Sequence, residues 1–256
     1  MIAIILAAGY ATRLYPLTEN TPKALLKLDT NTMLDHLMSG IITIPDIHEA
    51  LIVTNDRFYQ QFEDWRKAAE TDNKYPHISL RVLNDGTTSD ANKRGAVGDM
   101  QYVIEQAHVD DDLLVCASDN FFTFPLIDFF NDYKRTGCDT LLMTKIDSVE
   151  TLRSFAVATL DSNRRVTGLV EKPKDPPSDI GVYALYLYRR DTVPMIKTYL
   201  SAGHSPDAPG HFPEWLYKRR DVRGYLFEGE CIDIGTFDVL NATRKRFEVG
   251  GDLYNG

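Results

Sequence analysis

Arg13 and Lys23 flank a proline-containing turn that follows the loop Leu6-Ala7-Ala8-Gly9-Tyr10-Ala11-Thr12-Arg13-Leu14. The loop comes directly after the apolar run Ile2 to Leu6, which reads as a buried first strand. A glycine-containing loop in that position turns backbone N–H groups toward an anionic ligand. Arg13 presents a planar fork suited to phosphate oxygens and Lys23 a mobile point charge, so one segment can hold two different phosphates at once. Two separate roles point to a reaction on a triphosphate and not to binding alone. The spacing is not that of a Walker loop, because Lys23 comes far downstream of Gly9 and Ala24, not Ser or Thr, follows it.

Other residues with chemistry lie at the ends of expected strands. Asp119 and Asn120 follow the apolar run Leu113–Ala117, so the carboxylate should emerge at the ligand edge of a sheet, although a helix cap is the plainer role for a lone Asp. Asp233 precedes an expected helix beginning near Thr236, and either residue can cap it. Glu171-Lys172-Pro173 ends the run Val166–Val170, where a charged strand end is the simpler reading. Asn84-Asp85-Gly86 and Gly95-Ala96 bracket the polar stretch 87–94, which also reads as a surface loop.

The elements that must position these residues follow a βαβα rhythm. Strand-like runs at Ile2–Leu6, Leu51–Thr54, Ile78–Leu83 and Leu113–Ala117 alternate with helical patterns at Thr32–Ile41, Arg57–Lys67 and Gly95–Gln106. Thr32 with Asp35 offers an N-terminal cap for the first helix. A helix at Leu126–Lys134 and a strand at Thr140–Met143 come next. From there strands follow strands, at Ala156–Leu160, Val166–Val170 and Gly181–Tyr188, with Asp161-Ser162-Asn163-Arg164 as a hairpin turn. The expected fold class is α/β, a Rossmann-like mixed and mainly parallel sheet flanked by helices, with a small antiparallel extension. The Gly9 loop, Asp119 and the proline-rich connection after Glu171 should converge at the carboxyl ends of the strands.

Composition narrows the class. The chain has 256 residues, 43% of them hydrophobic, enough for one sizeable core, and no repeat or Gly/Ser linker divides it. One domain over residues 1–256 is expected, with one half to about residue 145 and the other from about 146. The formal charge of −9 argues against a nucleic-acid footprint. Cys116, Cys138 and Cys231 are odd in number and show no CxxC pairing, which suits a reducing compartment. With no leader pattern and no apolar run of membrane-spanning length, a cytoplasmic protein without membrane association is expected.

The string Leu-Ala-Ala-Gly, Thr-Arg-Leu, Pro-Leu-Thr and Pro-Lys resembles the signature of the sugar-phosphate nucleotidyltransferase (nucleoside-diphosphate-sugar pyrophosphorylase) family, the glucose-1-phosphate thymidylyltransferases among them. The resemblance continues through Ser118-Asp119-Asn120, Glu171-Lys172-Pro173 and Asp233-Ile234-Gly235-Thr236, and so spans most of the chain. It implies Mg²⁺-dependent transfer of a nucleoside monophosphate unit from a nucleoside triphosphate to a sugar 1-phosphate, with release of pyrophosphate. Arg13, Lys23 and Lys172 would carry the catalytic charges. Leu6, Ala7, Ala8, Gly9, Asn84, Gly86 and Gly95 would bind the nucleotide, and Ala156, Glu171, Lys172 and Tyr183 the sugar phosphate. Asp119 and Asp233 would hold Mg²⁺, a hard cation that keeps waters and bridges phosphate oxygens. By the same analogy a homo-oligomer is expected, and the end of the chain soon after the Asp233 helix implies no attached left-handed β-helix.

The chain also departs from the pattern. Ala11 stands where many members have glycine, and Ser118 replaces the glycine before the metal-binding Asp. Ser154-Phe155-Ala156-Val157 and Gly181-Val182-Tyr183-Ala184-Leu185-Tyr186 replace two glycines by alanine and a Thr by Tyr, so glucose 1-phosphate cannot be taken as the acceptor. Tyr183 equally suits a core aromatic. The stretch Thr18 to Leu25 resembles bacterial phosphocholine cytidylyltransferases, with Tyr183 or Trp215 as candidates for an aromatic cage. A nucleotide or nucleotide-sugar sensor of weakened catalysis is the alternative from another class. A GT-A-type glycosyltransferase is disfavoured because Ser118-Asp119-Asn120 is not Asp-x-Asp.

Overall fold

The computed structural model describes residues 1–248. In chain order its elements begin with β1 (Ile2–Leu6), α1 (Met33–Ile41), β2 (Glu49–Thr54), α2 (Tyr59–Thr71), β3 (Ser79–Asn84), α3 (Ala96–Ala107), β4 (Leu113–Ala117) and β5 (Asn120–Phe122). They continue with α4 (Leu126–Thr136), β6 (Asp139–Lys145), α5 (Val149–Leu152), β7 (Ala156–Leu160), β8 (Val166–Glu171) and β9 (Ile180–Tyr188). The last are α6 (Pro194–Ser201), α7 (His211–Leu216), β10 (Val222–Leu226), β11 (Cys231–Asp233) and α8 (Phe237–Glu248). The fold is mixed α/β, with a mainly parallel central sheet flanked by helices and a small antiparallel sheet, as the sequence pattern implies. By packing, the chain forms two units. The first holds Met1–Lys93, Ala117–Ile127 and, of the described residues, 229–248; the second holds Arg94–Cys116 and Asp128–Glu228.

In the first unit β1, β2 and β3 run parallel and in register, Ile2 opposite Glu49 and Glu49 opposite Ser79. Ala3, Ile4 and Ile5 in β1 and Ala50 to Val53 in β2 are wholly buried, which is why both runs are continuously apolar and not alternating. Parallel strands release their following loops at one edge, so the loops after Leu6, Thr54 and Asn84 leave from the same side. The amide of Ser118 donates to Leu6 O (3.2 Å), which brings the segment before Asp119 to that edge.

The expected cap of α1 is present. Thr32 Oγ1 accepts from the Asp35 amide (3.1 Å) and Asp35 Oδ2 accepts from the Thr32 amide (2.8 Å). Asp35 Oδ1 also accepts from Trp65 Nε1, Tyr75 Oη and Lys74 Nζ, tying α1 to α2 and the following turn. Burial works against its charge, but the donors, Lys74 foremost, outweigh that and bring the carboxyl down to about 2.

In the second unit β6 lies between antiparallel β9 and parallel β10, β9 also pairs antiparallel with β4, and β7 forms an antiparallel hairpin with β8. The hairpin turns where expected: the Asp161 amide donates to Arg165 O and Arg164 takes a left-handed conformation, φ 63°. At the start of β6 the buried carboxylate of Asp139 accepts from the Arg189 amide (2.8 Å) and Thr192 Oγ1 (2.8 Å). Burial nevertheless pushes it up to about 6. Among the described residues no helix is long and apolar enough to cross a membrane.

Candidate active site

The first unit holds ten of the proposed residues: Leu6, Ala7, Ala8, Gly9, Arg13, Lys23, Asn84, Gly86, Asp119 and Asp233. Gly9 is exposed, and a Cβ built on it would meet nothing within 4 Å, so the loop backbone is open to a ligand. Leu6 ends β1; Ala7 and Ala8 are buried, the Ala7 amide donating to Val53 O (2.9 Å). Asn55 fixes the loop from beneath, its Nδ2 donating to Ala8 O (2.9 Å). Ala11 adopts φ 46°, ψ 43°, the left-handed region, and its carbonyl accepts from the buried Thr18 hydroxyl (2.8 Å). The Thr of Pro-Leu-Thr thus closes the loop on which Arg13 is carried.

Lys23 follows Pro22 on a short 3₁₀ turn, and its ammonium lies 2.7 Å from Asp119 Oδ2 and 3.9 Å from Asp233 Oδ1. Asp119 and Asp233, far apart in sequence, are joined by the ribbon β5–β11, which places Asp233 opposite Asn120, and by the Ile234 amide donating to Asp119 O (3.1 Å). Phe121, Ile234 and Leu240 are buried with Leu14, Leu26, Leu28 and Met33, so the ribbon and α8 are held by the core that also anchors the Arg13 and Lys23 segments. The guanidinium of exposed Arg13 lies 3.9 Å from a Cβ built on Gly235, with Asp233 Oδ1 3.7 Å from the same point. Burial foremost, then the charges of Asp233 and Asp119, hold the Cys231 thiol well above its ordinary range.

Also in the first unit, Asn84 Oδ1 accepts from the Gly86 amide (2.9 Å), its Nδ2 donates to Asp56 (2.8 Å), and Gly86 is exposed at φ 76° with nothing within 4 Å of a Cβ built on it. The stretch 88–94 is exposed, with a 3₁₀ turn at Asp90–Asn92.

Gly95 belongs to the second unit. It has φ 80°, and a Cβ on it would lie 2.7 Å from Asp207 Cα. The amides of Ala96 and Val97 donate to Asp207 O and Pro206 O (2.7 and 2.9 Å), so protein carbonyls already take the first donors of α3.

The second unit also holds the proposed acceptor residues. Ala156 on β7 pairs with Glu171 on β8 and with Val182 on β9. Glu171 is 8% exposed at its side chain, and burial pushes its carboxyl up, with Lys172 and His211 opposing and Glu214 adding to the rise. Lys172 leaves the strand at φ 46° with an exposed side chain whose Nζ lies 3.7 Å from Glu171 Oε1. Tyr183 is buried, its ring edge-on to Phe155 (5.0 Å) and Phe227 (5.8 Å), so its ring is part of the aromatic packing.

Residues 2–248 match the family model described as nucleotidyl transferase. The chain belongs to the nucleotidyl transferase family. Within it, the chain is 28% identical over 251 residues to the bifunctional protein GlmU of Methanocaldococcus jannaschii, covering 95% of this chain and 54% of that protein. It is 26% identical to the glucose-1-phosphate thymidylyltransferase of Streptomyces griseus, covering 97% and 66%. A solved UDP-glucose pyrophosphorylase complexed with UDP-glucose shares the fold at a TM-score of 0.82 and 18% identity, over 97% of this chain and 98% of that one. The chain therefore spans about half the length of its bifunctional relative.

Two carboxylates facing one cation are a donor set suited to Mg²⁺, which binds through one or two carboxylates and completes its shell with water and phosphate oxygens. No group of three or more His, Cys, Asp or Glu side chains among the described residues forms a self-sufficient cage.

Sequence reasoning did not single out Asn55, Gly210, His211 or Glu214. Asn55 carries no motif, and the other three lie on and before a six-residue helix too short for a periodic signal.

Proposed function

We propose that this nucleotidyl transferase family member joins a nucleoside monophosphate unit to a sugar 1-phosphate, with Mg²⁺. The observation that carries the reading is the Lys23 ammonium set against Asp119 and Asp233 beside Arg13 and the open Gly9 loop. The loop amides and Arg13 bind the triphosphate, and Lys23 offsets the charge that accumulates as the α-phosphorus is attacked. Asp119 and Asp233 would hold Mg²⁺, which would supply further neutralisation of the triphosphate charge. Lys172 holds the acceptor phosphate and lowers its repulsion for the triphosphate, while Glu171 orients sugar hydroxyls. An acceptor phosphate oxygen forms the new bond to the α-phosphorus, the bond from that phosphorus to the bridging oxygen breaks, and pyrophosphate departs. No covalent protein intermediate is required.

Pyrophosphate release is to be measured across the common nucleoside triphosphates against a panel of sugar 1-phosphates and phosphocholine, with Asp119→Asn as control. A sugar-dependent signal lost in the control is expected. A phosphocholine-only signal would replace the sugar acceptor, and silence throughout despite nucleotide binding would make the chain a sensor.

A further inference from the structure

We infer that Glu214 is the positioning residue that sets Glu171 and Lys172 in place, an inference that rests on the acceptor role proposed for that pair. Glu171 is the last residue of β8, and the next amide, that of Lys172, donates to Phe155 O (3.1 Å) on the β7 side. Successive amides of a strand point to opposite edges, so the Glu171 amide faces away from β7. There it donates to Glu214 Oε2 (3.3 Å).

Glu214 comes from α7, and the face that carries it is built for this approach. Gly210 and Glu214 are four residues apart, on one side of the helix, and the Glu214 amide donates to Gly210 O (3.1 Å). A Cβ on Gly210 would collide with Glu171 Oε2 and lie 3.2 Å from Ala156 Cβ, so the glycine lets the helix close on the Glu171 carboxylate. The residue just before α7 thus makes room for the Glu171 side chain while one within it grips its main chain. His211 Nδ1 lies 3.7 Å from Glu214 Oε2. Immediately after the gripped amide the chain turns left-handed at Lys172. Without that hold, the turn carrying the Lys172 ammonium keeps its hydrogen bond to the β7 side and loses the one to Glu214.

The role differs from generic stability in what it predicts. Glu214→Ala should raise KM for the sugar 1-phosphate about tenfold, with KM for the nucleoside triphosphate changed less than about twofold. Glu214→Gln keeps an acceptor oxygen and should restore most of the loss. Amide hydrogen exchange on the full-length protein gives a readout independent of activity. The Glu171 amide should exchange faster in Glu214→Ala and at the wild-type rate in Glu214→Gln, with exchange in β1 to β3 unchanged. Equal exchange at Glu171 in all three proteins, or a KM rise shared by both substrates, overturns the inference. A wild type inactive on every acceptor refutes the proposed function instead, and the exchange comparison still decides the role of Glu214.

Discussion

Lys23 Nζ lies 2.7 Å from Asp119 Oδ2, a lysine from the first loop region set against a carboxylate 96 residues later. Asp233 stands on the other side at 3.9 Å. The ammonium therefore offsets part of the charge of two acidic groups that would otherwise repel each other at the carboxyl edge of β1.

Lys23→Ala leaves Asp119 and Asp233 without that ammonium. Mg²⁺ at millimolar concentration should then raise the thermal midpoint of the variant more than that of the wild type, because an ion that binds only the folded chain stabilises it more the more tightly it binds. Turnover should fall by about a hundredfold or more, the scale of losing one charge-stabilising group. Thermal melts with and without Mg²⁺ check the first outcome and pyrophosphate release the second. Equal Mg²⁺ responses would remove the two aspartates as the metal site.

Asp139 gives a prediction about pH. Its folded carboxyl sits at about 6 against an ordinary value near 3.8, so between those values the folded chain binds a proton that the unfolded chain has released. The contribution of this group to stability therefore falls as pH rises from about 4 to 6, by about 3 kcal/mol at most. Asp139→Asn removes that cost. The new side-chain oxygen can accept from the Arg189 amide, and Thr192 Oγ1 can turn to accept from the new amide. The variant should match wild type at pH 4 and exceed it at pH 8 in chemical denaturation. Asp139→Ala, which strands both donors, should be less stable at either pH.

The parts of this architecture legible in the sequence are those set by neighbours. The cap of α1 is fixed by Thr32 and Asp35 alone, and β1 is legible because both its faces are buried. The β5–β11 ribbon has three residues on each side, too few for any periodicity, although it is what joins Asp119 to Asp233. The family string named both carboxylates without showing how they meet. The grip of Glu214 on the Glu171 amide is a tertiary contact between a strand end and a short helix, and no local pattern encodes it. Gly95 carries a second lesson, since its glycine is required by the approach of the Asp207 backbone.

Ala11 holds a left-handed conformation that disfavours a side chain by roughly 1–2 kcal/mol, and the Thr18 hydroxyl and the Leu14 amide both bond to its carbonyl. Ala11→Gly should therefore raise stability, by up to about 1 kcal/mol once the freer unfolded chain is counted. Ala11→Val should lower it by more than that, since a β-branched residue tolerates φ 46° worse. Urea denaturation of the three proteins orders them. A destabilised glycine variant would mean that the loop is not strained at this position.

Gly210 tests the geometry of the acceptor cluster without any substrate. A Cβ there collides with Glu171 Oε2, and because Ala156 Cβ lies 3.2 Å from the same point, the added carbon has no free space on that side. Gly210→Ala should push the Glu171 carboxylate out of its buried position and cost about 1–3 kcal/mol, the usual penalty for overpacking. Glu171→Ala removes the colliding oxygen and leaves a gap beside Gly210. In the double variant the new methyl fills that gap, so its stability should exceed the sum of the two single effects by about 1 kcal/mol or more. A double-mutant cycle in urea measures this coupling directly. Strict additivity would show that the Glu171 carboxylate does not rest against Gly210, and with it would go the clamp through which α7 is held to position Lys172.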